Sequence, residues 1–169
     1  MRLKSPIAAC GVLSLLFSTD LAAAADPQRQ SEVAARGAEV MPFKLDATTH
    51  VFTKTATGGL QQVVAKDPKD SEQIAMIRVH LGQIAQAFQR RDFSGPTQTH
   101  GAQMPGLAKL KAAGPGELAI RYRELANGAQ VEYSSRSPEV ITAIHEWFDA
   151  QLSDHGADAM EGHDPSMHH

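Results

Sequence analysis

Apolar residues along this chain recur with two different periods, and the period changes twice. From Thr48 to Thr55 they alternate with polar ones, as in a strand with two unlike faces, and Leu60 to Lys66 resumes the alternation after the turn Thr57-Gly58-Gly59. From Asp70 to about Arg90 the spacing becomes three and four. Ile74, Ile77, Leu81, Ile84 and Phe88 then share one side of a helix that Asp70 is placed to cap. The second half runs through the same order. Leu118 to Arg123 reads as a strand, Asn127-Gly128 as a hairpin turn and Ala129 to Ser135 as the return strand. Ser137-Pro138-Glu139 opens a helix carrying Ile141, Ile144, Phe148 and Leu152.

Overlaying the two helices pairs Ile74 with Ile141, Ile77 with Ile144 and Leu81 with Phe148. The expected fold is therefore α+β, a ββα–ββα internal repeat forming a four-stranded antiparallel sheet with two helices on one face. Its repeat units are residues 48–90 and 117–155 of a single domain, 45–155, with residues 92–116 as a long loop in which Met104 to Lys111 has room for a helical turn or two. Residues 26–44 read as a linker with a short, weakly amphipathic helix from Ser31 to Val40, and residues 156–169 as a flexible Met/His tail without periodicity.

The front of the chain follows a different logic. Arg2 and Lys4 precede an apolar run from Ile7 to Phe17, and small residues from Ala22 to Ala25 follow. That run falls short of the roughly 20 apolar residues that cross a bilayer. Residues 1–25 therefore read as a signal peptide cleaved after Ala25, which places the mature chain in the periplasm or outside the cell with no membrane anchor after processing.

Composition removes several chemistries. Cys10 is the only cysteine and falls inside the leader, so residues 26–169 offer no thiolate. With 16 Lys and Arg against 19 Asp and Glu and no basic run, nucleic acid is excluded as a partner. No metalloprotease, hydrolase-elbow or phosphate-loop motif is present, and Glu72, Glu139 and Glu146 read as solvated helix carboxylates.

Histidine is the remaining reactive group. His50 alternates with Phe52 and should face inward with it; His80 and His145 flank the apolar faces of the two long helices; His100 lies in the long loop and His155 at a helix end. Neutral imidazoles at such positions can converge on a metal ion, or serve as boundary residues and helix-end cations. A second set of donors, Met160, His163, Met167, His168 and His169, mixes thioether and imidazole, a combination that suits copper.

Thr49-His50-Val51-Phe52, Gly58-Gly59, Ile77-Arg78-Val79-His80-Leu81, Asp92-Phe93-Ser94, His100-Gly101, Pro105-Gly106, Ala143-Ile144-His145 and Asp154-His155-Gly156 together resemble a family of small exported proteins from Gram-negative bacteria. The resemblance spans Met41 to Gly156 and implies a shared histidine set at His50, His80, His100, His145 and His155; Met104 matches only one branch. Some members carry the label aspartate carbamoyltransferase. The residues here do not support it: there is no Ser-Thr-Arg-Thr loop, and Gly95-Pro96-Thr97-Gln98 lacks the histidine of the corresponding motif.

The leading functional expectation is an exported metal-binding protein for copper, with zinc or nickel as alternatives, serving handling or tolerance rather than catalysis, and using no organic cofactor. Second comes a non-catalytic binding or envelope-stress module for a protein or small ligand. Carbamoyl transfer or another histidine-dependent reaction ranks third.

Overall fold

A computed structural model describes residues 26–164. The signal-peptide reading of residues 1–25, and the candidate ligands Met167, His168 and His169, lie outside the described residues. Helix α1, Pro27–Val40, starts four residues earlier than its apolar pattern announces, because Asp26 accepts the Gln28 amide at 3.0 Å and Pro27 supplies a first helical position that needs no donor. Strands β1, Thr48–Thr55, and β2, Gly58–Ala65, form a hairpin, followed by α2, Ser71–Gln89, capped by Asp70 through the Gln73 amide. Two short helices follow, α3, Ser94–His100, which the long loop did not announce, and α4, Leu107–Ala112, which falls where a helical turn or two was expected. A second hairpin, β3, Ala119–Leu125, and β4, Gly128–Ser134, leads into α5, Pro138–His155, and the chain returns as β5, Ala159–Glu161.

The fold is α+β with one sheet of five strands in the order β3-β4-β2-β1-β5. This corrects the four-stranded antiparallel expectation. The first four strands pair antiparallel, but β5 lies parallel to β1, with Ala159 opposite His50 and Glu161 opposite Phe52. A three-residue strand is too short to show alternation, which is why residues 159–161 read as tail.

The second hairpin turns one residue earlier than Asn127-Gly128 suggests. Leu125 pairs with Gly128, so Ala126 and Asn127 make the turn and Gly128 is already in β4. The glycine is required for a different reason: a Cβ there would stand 2.0 Å from the Val63 carbonyl oxygen of the neighbouring strand.

Phe52, Val131, Tyr133, Ile77, Leu81, Ile144, Trp147 and Phe148 form the centre of the core, each at most 1% exposed. Phe88 of α2 and Trp147 and Phe148 of α5 all meet the Tyr133 ring. On α2 the buried stripe includes the expected Ile74, Ile77, Leu81 and Phe88. On α5 it is rotated from expectation: Val140, Ile144, Trp147, Gln151 and Asp154 are buried, while Ile141 and Leu152 are only partly so. Two polar residues thus continue an apolar stripe at the C-terminal end of the helix. Among the described residues no helix is long and apolar enough to cross a membrane.

Candidate functional site

The rotated stripe of α5 ends against β1 and α3, and histidines gather there. His50 sits mid-strand on β1 and is 3% exposed, because its neighbour Phe52 fixes that face inward. His155 is the last residue of α5, and its ring lies nearly parallel to that of His50 with centroids 4.6 Å apart. His100, the last residue of α3, meets the His155 ring edge-on at 5.0 Å. His80, from the middle of α2, reaches the same region by packing edge-on against Phe43 at 5.5 Å. All four imidazoles line a cavity of about 320 Å³ whose apolar wall includes Phe43, Leu81, Ile84 and Phe88.

One of these rings is held by an assembled polar group. His100 Nδ1 lies 2.8 Å from Asp154 Oδ2, and Arg29 of α1 grips the same carboxylate through Nε at 2.9 Å and a terminal nitrogen at 2.8 Å. Arg29 also donates to the His100 carbonyl, and Arg36 donates to the Thr99 carbonyl at 2.7 Å. Two arginines of α1 therefore satisfy the last carbonyls of α3, which positions the ring that ends it.

Burial works to raise the Asp154 carboxyl, but hydrogen bonds from Arg29 and His100 outweigh it and hold the group below its ordinary range. Burial lowers the His100 imidazole despite that carboxylate, and the positive charges of Arg29 and Arg36 lower it further. The carboxylate is thus charged and matched by Arg29, while His100 is neutral. Its Nδ1 carries the proton donated to Asp154, and its Nε2 keeps a free lone pair.

The other rings are neutral for the same reason. Burial, then the proximity of His100 and His80, brings His50 down to about 4, with a contact to the Asp158 backbone opposing. Burial and the neighbouring His50 and His100 push His155 well below its ordinary value, and burial lowers His80. No ionisable side chain other than imidazole lines the cavity among the described residues.

Among the described residues two buried side-chain atoms lack partners. His50 Nδ1 and Trp147 Nε1 make no hydrogen bond, and both residues line the cavity. A buried polar atom left unpaired costs about 1–3 kcal/mol. Beside them stand two amides: Gln151, 4% exposed, and Gln61, which accepts the Tyr133 hydroxyl at 2.6 Å. The arrangement offers lone pairs, an N–H donor and amides around a largely apolar space. Among the described residues, no group of three or more His, Cys, Asp or Glu side chains is already placed to hold a metal ion.

The remaining sequence-expected ligands lie elsewhere. His145 Nε2 donates to the carbonyls of Thr55 and Gly58 at 3.0 and 2.8 Å and so clasps the β1–β2 turn. Met160 is 54% exposed on β5, and His163 lies beside Val51, Thr53 and Gln62 rather than in the histidine cavity. Arg29, Asp154, Gln151 and Trp147 were not anticipated at the site. For three of them the signal was present: Trp147, Gln151 and Asp154 follow Val140 at helical spacing. No family model, curated protein or solved structure matches the chain.

Proposed function

We propose that this chain is an exported, non-catalytic binding protein whose histidine-lined cavity holds one small organic molecule. The observation that supports this reading is the cavity itself, about 320 Å³ bounded by aromatic and aliphatic walls and by neutral imidazoles and amides. Spaces of this size and mixed lining suit small ligands that are mostly apolar and carry a few polar atoms. The unpaired Trp147 N–H calls for an acceptor on such a ligand, and the lone pairs of His50 and His100 call for a donor. Hydroxylated or amide-bearing aromatic compounds meet both requirements. The order hairpin–helix, given twice along the chain, supports a duplicated ββα unit as the scaffold, with β1 and α5 bringing one wall of the cavity from each copy.

A thermal-shift screen with small phenols, aromatic amides and aromatic acids tests the reading. A ligand at a hundredfold excess over its dissociation constant adds about 2.7 kcal/mol of stability, which moves the midpoint visibly. Ile84→Trp should fill the cavity from the partly buried side of α2 and abolish the shift. If no compound stabilises the protein, or Ile84→Trp leaves the shift intact, the reading fails.

A further inference from the structure

We propose that His50, His100 and His155 form a three-imidazole site for a first-row transition ion, zinc or copper, where β1, α3 and α5 meet. Spacing is the first support. An ion bound about 2.0 Å from each ring nitrogen in tetrahedral geometry sets two ring centroids about 5 Å apart. The His155 ring stands 4.6 Å from that of His50 and 5.0 Å from that of His100, at or just under that distance. Orientation is what differs: the His50 and His155 planes lie at 11°, so one ring must turn before both lone pairs reach a common point. His155, half-buried and last in its helix, is the ring placed to turn.

The second support is the group behind His100. Imidazoles that bind metals commonly donate their other N–H to a carboxylate, which fixes tautomer and ring orientation. Asp154 does this at 2.8 Å and is itself held by Arg29, 125 residues away in sequence. The third is His50, 97% buried by its exposure of 3%, with a ring nitrogen that has no partner. The donor set decides the class of ion. The cavity lining contains neither thiolate nor carboxylate, so calcium and magnesium are disfavoured and borderline ions favoured.

This inference does not depend on an organic ligand, and its test separates the two. Zinc and copper salts are titrated calorimetrically into the full chain carrying His163→Asn, Met167→Leu, His168→Asn and His169→Asn, which removes the C-terminal imidazoles and the last thioether, and imidazole nitrogen resonances are followed by NMR with zinc. One ion per chain is expected, moving the resonances of His50, His100 and His155 and sparing those of His145. Asp154→Asn, as a positioning change, should weaken zinc about 10- to 100-fold, and His155→Phe at least as much. Should either variant fail to fold, the resonance pattern decides alone. The site is refuted by no binding below about 100 µM, the scale of a weak metal site, by binding that leaves those three rings unmoved, or by unchanged affinity in folded His155→Phe. Zinc binding without any organic ligand would sink only the preceding reading, and the converse only this one.

Discussion

Acid should unfold this protein through its buried imidazoles, and His50 permits the size of the effect to be worked out. In the unfolded chain its pKa is about 6.5; in the fold it is about 4. Between these values the unfolded state binds a proton that the native state refuses, so stability is fully present above the unfolded pKa and falls as pH drops toward the folded one. From pH 7 to pH 5 this single residue removes about 2 kcal/mol, and about 3 kcal/mol once pH passes below 4. His80, His100 and His155 are shifted in the same direction and add to the loss. A domain with a typical stability of about 5–15 kcal/mol is sensitive to such a sum. Urea unfolding followed by fluorescence of Trp147, the only tryptophan, at pH 7.5, 6 and 5 measures it. His50→Phe keeps a buried ring and removes the titration. Its stability should therefore decline between pH 7 and 5 by about 2 kcal/mol less than that of the unaltered protein. Carboxylate protonation is common to both chains and cancels. Parallel pH profiles would show that His50 is not held neutral by burial, and the account of the cluster's electrostatics would fall with it.

Arg29→Ala leaves the Asp154 carboxylate without its cation and, with Arg29 already 37% exposed, should cost about 1–3 kcal/mol by chemical denaturation. The same change removes a positive neighbour from His100, whose pKa should rise in an NMR titration. His145→Ala should cost about 1–2 kcal/mol through the lost clasp on the β1–β2 turn while leaving ligand and metal binding in the cavity unchanged. Gly128→Ala drives a methyl onto the Val63 carbonyl and should destabilise by about 1–3 kcal/mol. Ile77→Ala and Ile144→Ala, both at 0% exposure, should each cost about 2–5 kcal/mol; a loss under half a kcal/mol, measured in urea, would contradict the packing of that helix.

The sequence was most legible where apolar spacing alone decides structure. The two strands of the first hairpin, the caps at Asp70 and Ser137 and the α2 stripe follow from local chemistry, and their partners are close in sequence. Thr55 pairs with Gly58, however, so the first turn is Ala56-Thr57 and the glycines expected there already belong to β2. The histidine set was legible in part. His50 and Phe52 share a face by strand period, but nothing local brings His100 to His155 or assigns His145 to a turn. The α5 stripe was misjudged because Gln151 and Asp154 are polar, and apolar pattern matching passes over polar residues on a buried face. Asp154 tolerates burial only because Arg29 arrives from a segment that reads as linker. Polar groups whose partners lie at the other end of the chain leave no periodic trace. The rule that buried charge needs a partner identifies them only once one member is known to be buried.

Strand β5 gives the molecule a timetable. Its three residues pair with the middle of β1, one of the first strands to be synthesised and the carrier of His50. Hairpins and helices elsewhere close over short loops, whereas this pairing must wait until nearly the whole folded region has been made, and closure over so long a loop is among the slower steps of folding. Asp154 and His155 arrive just before it, so the chain spends most of its assembly with β1 as an unprotected edge. Completion of the cavity and protection of that edge are consequently one late event. A chain that stops short of residue 159 keeps most of its core, yet presents an open strand edge where the finished protein presents a paired one.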